Sequence, residues 1–231
     1  MDSKTEAVFQ RGYDFFVKKQ YEQSLPVLLK AAKAGHPRAQ ALLGRTYQEG
    51  LGVPVDYKQA AVWFGQAAAQ GHRASQYGLG NLYFEGEGVP QDRTKAITLY
   101  RQSAEQGYDQ AEFILGLAYE FGWGGLPRNR QIAIRWLSKA GVHRNGQAGW
   151  IATWLEKPDT PHFRDEVQLG KYIGAKIDRW AAAQFGGGGG PPTGSDKCDW
   201  RCAQMAEKLE RAGRGESAIR CRGGELEHCN P

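Results

Sequence analysis

Apolar residues recur three and four positions apart through most of the first 185 residues, with polar residues between them. Leu43 and Tyr47 belong to one such stripe, and Ala60 and Phe64 belong to the next. This spacing matches one face of an α-helix and differs from the strict alternation of a half-buried strand. The pattern therefore predicts a chain of short amphipathic helices.

A glycine-rich turn separates the two stripes. Gly50 can take the left-handed backbone conformation that ends a helix, and Pro54 cannot continue one. The carboxylate of Asp56 can then cap the next helix by accepting from its free backbone N–H groups. Residues 35–70 are thus predicted to form two antiparallel helices joined by this turn.

The helix pair returns every 36 residues. Residues 35–70 and 71–106 are identical at 16 of 36 positions, and 107–142 continues the pattern with one extra residue in its turn and Asn129 at the capping position. A period of this length predicts a stack of small helical units. Each unit has a glycine within its first helix, and we expect a close approach between helix backbones to compensate for its cost at Gly44, Gly80 and Gly116.

The shared pattern, Ala-x3-Leu-Gly-x2-Tyr-x2-Gly-x-Gly-Val-x2-Asp-x3-Ala, resembles the Sel1-like repeat (SLR) family, a relative of the tetratricopeptide repeat (TPR). The resemblance implies an all-α fold, a right-handed α/α solenoid of helix pairs spanning 1–185. Residues 5–34 are expected to form a more TPR-like first pair. Residues 143–185 are expected to form the capping helices, at 146–156 and about 164–184.

Four cysteines lie in the last 36 residues, beyond a Gly/Pro-rich segment at 186–195 that is interpreted as a flexible linker. The tail, 196–231, is predicted to be a small cysteine-bearing helical hairpin. It is too short to bury a sufficient core, so disulfides would supply stability. The nested pairing Cys202–Cys221 with Cys198–Cys229 is favoured, and zinc binding and reduced thiols are the alternatives.

Localisation follows from the expected disulfides, which favour the periplasm, with the cytoplasm as the alternative. Residues 1–10 show no leader, which indicates either a cytoplasmic protein or a form without its signal peptide. No apolar run is long enough to suggest an integral membrane segment.

The net charge of +5 is mild, and nucleic-acid binding is not expected. Between residues 121 and 155 the chain carries basic side chains and no acidic one. We interpret them as a solvated face: Arg128, Arg130, Arg135, Lys139 and Arg144.

No catalytic arrangement is apparent in the sequence, so an enzyme, a cofactor and a metal are not expected. His36 and His72 occupy equivalent positions of two units. A recurring residue before the first helical turn explains them better than metal binding, because neither has a nearby ligand motif.

The TPR relationship implies a concave groove lined by the first helix of each pair. Aromatic residues in such a groove are typical anchors for a bound protein. The residues expected to face a partner are Tyr13, Phe16, Arg38, Arg45, Gln48, Tyr77, Asn81, Phe84, Glu85, Phe113, Leu117, Glu120 and Phe121, with Phe9 and Glu49 beside them.

The family resemblance implies a non-enzymatic scaffold that binds a protein partner. Its most specific form is a bacterial periplasmic immunity protein that neutralises a type VI secreted, phospholipase- or lipase-type effector, or an envelope adaptor. The alternatives are a cysteine-rich SLR binder or hydrolase of cell-wall fragments, and a cytoplasmic signalling scaffold.

Overall fold

The computed structural model describes residues 2–143, 146–163, 168–169 and 171. Within these residues the regular structure is helical and no strand occurs, which confirms the predicted all-α class. A single 3₁₀ turn, Trp123–Gly125, accompanies the helices in this part of the chain. The α-helices are α1 Ser3–Val17, α2 Tyr21–Lys33, α3 Pro37–Glu49, α4 Tyr57–Ala69, α5 Arg73–Glu85, α6 Arg93–Glu105, α7 Asp109–Phe121, α8 Arg130–Val142 and α9 Gly146–Leu155.

Each helix packs against the next one along the chain, and the two helices of a unit make the most extensive contacts. The apolar stripes meet in a series of clusters along the stack, such as the one around Phe9, Leu28 and Leu43. These helices form the solenoid predicted from the 36-residue period. They belong to a first compact unit that ends at Pro161, and a second unit begins at His162.

The helix boundaries follow from the predicted turn chemistry. Gly50 ends α3 in the left-handed conformation, with φ of 70°. Asp56 caps α4 by accepting from the backbone N–H of Gln59 at 3.0 Å, and Asn129 caps α8 in the same way from Ile132. The change from aspartate to asparagine in the third unit therefore leaves the cap intact.

The mid-helix glycines make room mainly for a side chain, so the expected approach of a backbone is wrong for Gly44 and Gly80, whereas at Gly116 an added Cβ would also lie 3.2 Å from the backbone oxygen of Ala133. A Cβ at Gly44 would lie 2.4 Å from the ring of Phe64, and one at Gly80 would lie 2.7 Å from the ring of Tyr100. A close approach of two backbones is found elsewhere, between Gly141 and Gly149. The glycines thus let the second helix of each unit place a large side chain against the first.

Buried polar side chains also repeat along the stack. Gln40 donates to the carbonyl oxygen of Ala32 in the preceding unit at 3.1 Å and accepts from Gln70 of its own unit at 2.7 Å. Gln76 and Gln106 form the same 2.7 Å bond one unit later. We call these pairs the glutamine ladder. It joins the start of one helix to the end of the next in the first two repeats, 35–70 and 71–106.

Several predictions lie outside the described residues. They are the linker at 186–195, the tail at 196–231 with both cysteine pairs, and most of the helical stretch expected at 164–184. The helix expected at 146–156 is present as α9.

Candidate partner-binding face

The odd-numbered helices form a row in which α1 contacts α3 and α3 contacts α5. We call the side chains that this row presents away from the even helices the odd-helix face. The guanidinium of Arg38 lies 4.7 Å from the ring centre of Phe9 and 5.8 Å from that of Tyr13. One step further along α3, Arg45 lies 6.0 Å from Phe16. The structure therefore brings together residues that were expected to face a partner from two different units.

A chain of ring contacts continues across the second and third units. Tyr77 lies 5.3 Å from Tyr108 and 5.8 Å from Tyr100. Phe84 then lies 6.3 Å from Tyr100 and 5.4 Å from Trp123. Phe121 ends the series at 5.6 Å from Trp123. We call these residues, Tyr108, Tyr77, Tyr100, Phe84, Trp123 and Phe121, the aromatic chain. All of them except Tyr100 are partly exposed.

Tyr108 and Trp123 belong to the aromatic chain but were not among the residues expected to face a partner. Tyr108 occupies the position at which His36 and His72 stand in the preceding units, and it forms no side-chain cap on its helix. Trp123 lies in the turn that carries the extra residue. At both positions the sequence departs from the repeat and carries an aromatic residue. That coincidence was the signal by which the sequence could have revealed them.

Two tyrosines of the aromatic chain, Tyr100 and Tyr108, are held in the neutral form. Burial raises the pKa of Tyr100 well above its ordinary value, with Tyr77 adding to the effect. Burial also raises the pKa of Tyr108 to about 12. The Tyr100 hydroxyl donates to Asn81 at 2.9 Å, so the Asn81 carbonyl is engaged within the protein. Tyr108, which is partly exposed, can offer its ring and hydroxyl to a partner but carries no charge at neutral pH.

Some expected contact residues are not accessible. Leu117 and Glu120 are only 2% and 3% exposed, so the expectation that they face a partner is not met. The Glu120 carboxylate instead accepts from Arg130 at 2.7 Å, which satisfies its charge internally. Phe9 is fully buried, since His36 stacks on its ring at 4.1 Å. The residues that remain at least partly exposed are Tyr13, Phe16, Arg38, Arg45, Gln48, Glu49, Tyr77, Asn81, Phe84, Glu85, Phe113 and Phe121.

The model of the family described as Sel1 repeat matches residues 37–72, 73–108 and 109–141. This chain is a Sel1-repeat protein. The matched segments begin two residues after the units defined by the internal identity, and they cover α3 to α8. Sel1 repeats indicate a scaffold for protein–protein interaction, and proteins built from them are generally non-enzymatic.

Two solved structures are similar to this Sel1-repeat protein over 90% of its length. The Sel1 repeat protein from Oxalobacter formigenes is 27% identical, with a TM-score of 0.62 and 86% of that chain covered. The protein c5321, a protective antigen present in uropathogenic Escherichia coli strains and displaying an SLR fold, is 28% identical with a TM-score of 0.59. Only 38% of the c5321 chain is covered, so our chain spans well under half its length. No curated protein sequence matches the chain.

The basic residues of the third unit are largely occupied within this Sel1-repeat protein. Arg128 donates to the backbone oxygen of Glu120 at 2.9 Å. Arg130 pairs with the Glu120 carboxylate and also donates to the carbonyl oxygens of Thr160 and Pro161. Lys139 pairs with the carboxylate of buried Glu112 at 2.9 Å. These three cations therefore hold the repeat together, whereas Arg135 is exposed and Arg144 lies outside the described residues.

The recurring histidines of the Sel1-repeat protein are helix caps. His36 Nδ1 accepts from the backbone N–H of Ala39 at 3.3 Å, and His72 Nδ1 accepts from that of Ser75 at the same distance. Within the residues that the structure describes, no group of His, Cys, Asp and Glu could hold a metal ion. No described helix is long and apolar enough to cross a membrane.

Proposed function

We propose that this Sel1-repeat protein binds a segment of a partner protein along the odd-helix face. The observation that supports this most is the aromatic chain, because its rings lie next to one another across two units and all of them except Tyr100 are partly exposed. Partly exposed aromatic side chains that are fixed by their neighbours lose little conformational freedom on binding. Such residues usually dominate the affinity of an interface.

Among the aromatic residues that were expected to face a partner, Phe113 is the one that internal packing engages least. It stands one repeat after Tyr77, on the same side of the first helix, and it makes no ring contact with another described aromatic side chain. Tyr77 and Phe84, in contrast, pack against the apolar cluster around Tyr100 and Leu115. Phe113 is therefore the position from which a bound partner can be detected with the least disturbance of the fold.

The test is site-specific photo-crosslinking in the native cell. A photoreactive phenylalanine analogue is placed at Phe113 in one variant and, as the matched control, at Val62 on the even helix α4 in another. Val62 is 51% exposed, so both probes are accessible. We expect an adduct with one partner from position 113 and none from position 62. The reverse result would place the partner on the even helices and contradict the proposal.

In its most specific form, the proposed function is that of a periplasmic immunity protein. Its tail is cross-linked by two disulfides, and its partner is a type VI secreted, phospholipase- or lipase-type effector. Its support is the family resemblance together with the cysteine-rich tail. An envelope adaptor is the other form that the same features support. The immunity function predicts that an effector encoded beside this gene stops growth when it is directed to the periplasm, and that coexpression of the chain restores growth. If a Phe113→Asp variant restores growth to the same extent as the wild-type chain, immunity does not depend on the odd-helix face.

A further inference from the structure

Arg38 presents an unoccupied guanidinium on the odd-helix face. The side chain is exposed, and its planar group lies over the rings of Phe9 and Tyr13. Within the described residues no carboxylate lies at ion-pair distance from it, and no acceptor receives its N–H groups. A guanidinium that stacks on a ring is held by its face, while the five N–H donors in its plane remain directed outward. Arg38 is therefore oriented to receive an acceptor that comes from outside the chain.

A second guanidinium lies on the same helix face. Arg45 follows Arg38 by seven residues, which corresponds to two helical turns and a distance of about 10 Å along α3. It pairs with Glu49 at 2.8 Å, but both side chains are about half exposed. An exposed pair of this kind is worth less than about 1 kcal/mol, so an incoming carboxylate can replace Glu49 at little cost.

Three guanidiniums lie along one strip of the odd-helix face. The pKa of His72 is lowered first by burial and then by the charges of Arg38 and Arg73, and Arg73 and Arg45 both act on Tyr108. Arg73 donates to the carbonyl oxygen of Gln106, so Arg38 and Arg45 are the two that can accept a carboxylate from outside. The carboxylates beside this strip are Glu6, which contacts His36, Glu49, which pairs with Arg45, and Asp109, which acts on Tyr108 with the opposite sign. Further along the row the charge changes, since Glu85 is exposed near Tyr100.

We propose that the partner segment bound along α1, α3 and the start of α5 is an acidic peptide that also carries aromatic side chains. The proposal rests on the function proposed above and specifies its ligand. A carboxylate of the peptide forms paired hydrogen bonds with the outward edge of Arg38, and a second one engages Arg45. An aromatic side chain between them packs against Tyr13 or Tyr77, both of which are partly exposed. Charge complementarity with this strip selects an acidic sequence over a basic one.

A display selection tests the composition of the ligand directly. A library of random twelve-residue peptides is selected on the full chain, on Arg38→Gln, and on Arg135→Gln as a matched control. Arg135 is also an exposed arginine, but it lies on the even helix α8. We expect peptides enriched in Asp, Glu and aromatic residues on the wild-type chain and on Arg135→Gln. On Arg38→Gln the acidic excess should disappear, and the best wild-type peptide should bind about tenfold more weakly by calorimetry.

A conservative substitution separates charge from geometry. Arg38→Lys keeps the positive charge but loses the planar fork, so we expect a loss of at least fivefold in peptide affinity. Full affinity in Arg38→Lys, or an equal acidic excess on Arg38→Gln, would overturn the proposal. Tighter binding of a single-stranded oligonucleotide than of the selected peptides, dependent on Arg38, would also overturn it.

Two experimental outcomes distinguish a wrong ligand from a wrong binding face. If position 113 crosslinks to a natural partner while the selected peptides show no acidic excess, only the ligand chemistry is wrong. If position 113 gives no adduct and the selection enriches no peptide, the odd-helix face is not a binding site. Circular dichroism of each variant confirms that the helices are unchanged.

Discussion

The Nδ1 atom of His143 lies 2.9 Å from an oxygen of Glu112, and that carboxylate has no exposed surface. The other Glu112 oxygen lies 2.9 Å from the amino group of Lys139. In the two preceding units the corresponding position is Gln40 or Gln76, which pairs with another glutamine. The third repeat thus keeps the position of the glutamine ladder but replaces neutral hydrogen bonds with ionic ones.

A reciprocal exchange tests this ionic replacement. Glu112→Gln removes the ion pair, but Lys139 is 42% exposed and can turn to water, so we expect a loss of about 1–2 kcal/mol in the free energy of unfolding. Gln76→Glu places a carboxylate in a buried site without a cation, and it should cost about 3 kcal/mol or more. Urea unfolding followed by circular dichroism measures both. Equal losses in the two variants would show that the third repeat does not depend on its charges.

His72 predicts a dependence of stability on pH. Burial, followed by the charges of Arg38 and Arg73, lowers the pKa of His72 below 6.5, which means that the folded state favours the neutral ring. The cap is therefore fully present above pH 6.5 and is lost as the pH falls through 6.5 towards the folded-state value. His72→Asn retains a capping side chain that does not titrate. We expect the two proteins to melt alike at pH 7.5, and the wild type to melt at a lower temperature than the variant at pH 5. Parallel melting curves across this range would contradict the assignment.

The glycine at position 80 should be required by packing. In Gly80→Ala the new Cβ would lie 2.7 Å from the Tyr100 ring, so the ring must move, at a cost of about 1–3 kcal/mol. Gly65 is the control because it lies within α4 with no atom within 4 Å of an added Cβ. Gly65→Ala should raise stability by about 0.5–1 kcal/mol through helix propensity. Thermal melting of both variants checks the opposite signs.

Aromatic residues of the odd-helix face should differ in their effect on stability. Phe84 contacts Tyr100, Trp123 and the guanidinium of Arg93, so Phe84→Ala is expected to cost about 1–2 kcal/mol. Phe113→Ala should cost less than half of that. If both variants unfold at the same urea concentration, Phe84 is not part of the packed structure and can serve directly as a probe of binding.

The tail prediction concerns Cys198, Cys202, Cys221 and Cys229, which lie outside the described residues. Two intramolecular disulfides lower the mass of the intact chain by four hydrogens relative to the reduced chain. We expect this difference in protein prepared from an oxidising compartment. An unchanged mass on reduction, or zinc bound in a one-to-one ratio, would contradict both the pairing and the periplasmic location.

The fold could be predicted to within a few residues because its determinants are local. Gly50, Asp56 and their repeats act through the backbone of their own turn, so the sequence of one unit is sufficient to place the helix ends. The compensation for Gly44 and Gly80 was mispredicted because it depends on Phe64 and Tyr100, which come from the second helix of the unit.

Predicting the contacts of the odd-helix face was harder, because they depend on residues that are distant in the sequence. The helical register correctly grouped Tyr13, Phe16, Arg38 and Arg45, since residues on one face of successive helices stay together in a stack. The register could not show that Glu120 is paired with Arg130, because that contact joins α7 to the start of α8 and the segment at 160–161. The hydrogen-bond and ion-pair partners of a side chain at such a junction are residues of the next element along the chain.

The buried polar pairs determine which length of chain can be duplicated. A unit such as 71–106 carries everything that its neighbours require: Gln76 for the preceding carbonyl and Gln106 for its own closure. A duplicated copy inserted after Gln106 would find every buried amide already matched. The third unit carries its own partners only when residue 143 is included, because its buried carboxylate contacts both Lys139 and His143. The segment that can be added in tandem is therefore 71–106 before residue 107 and 107–143 after it, one residue longer because of the extra residue in the third turn.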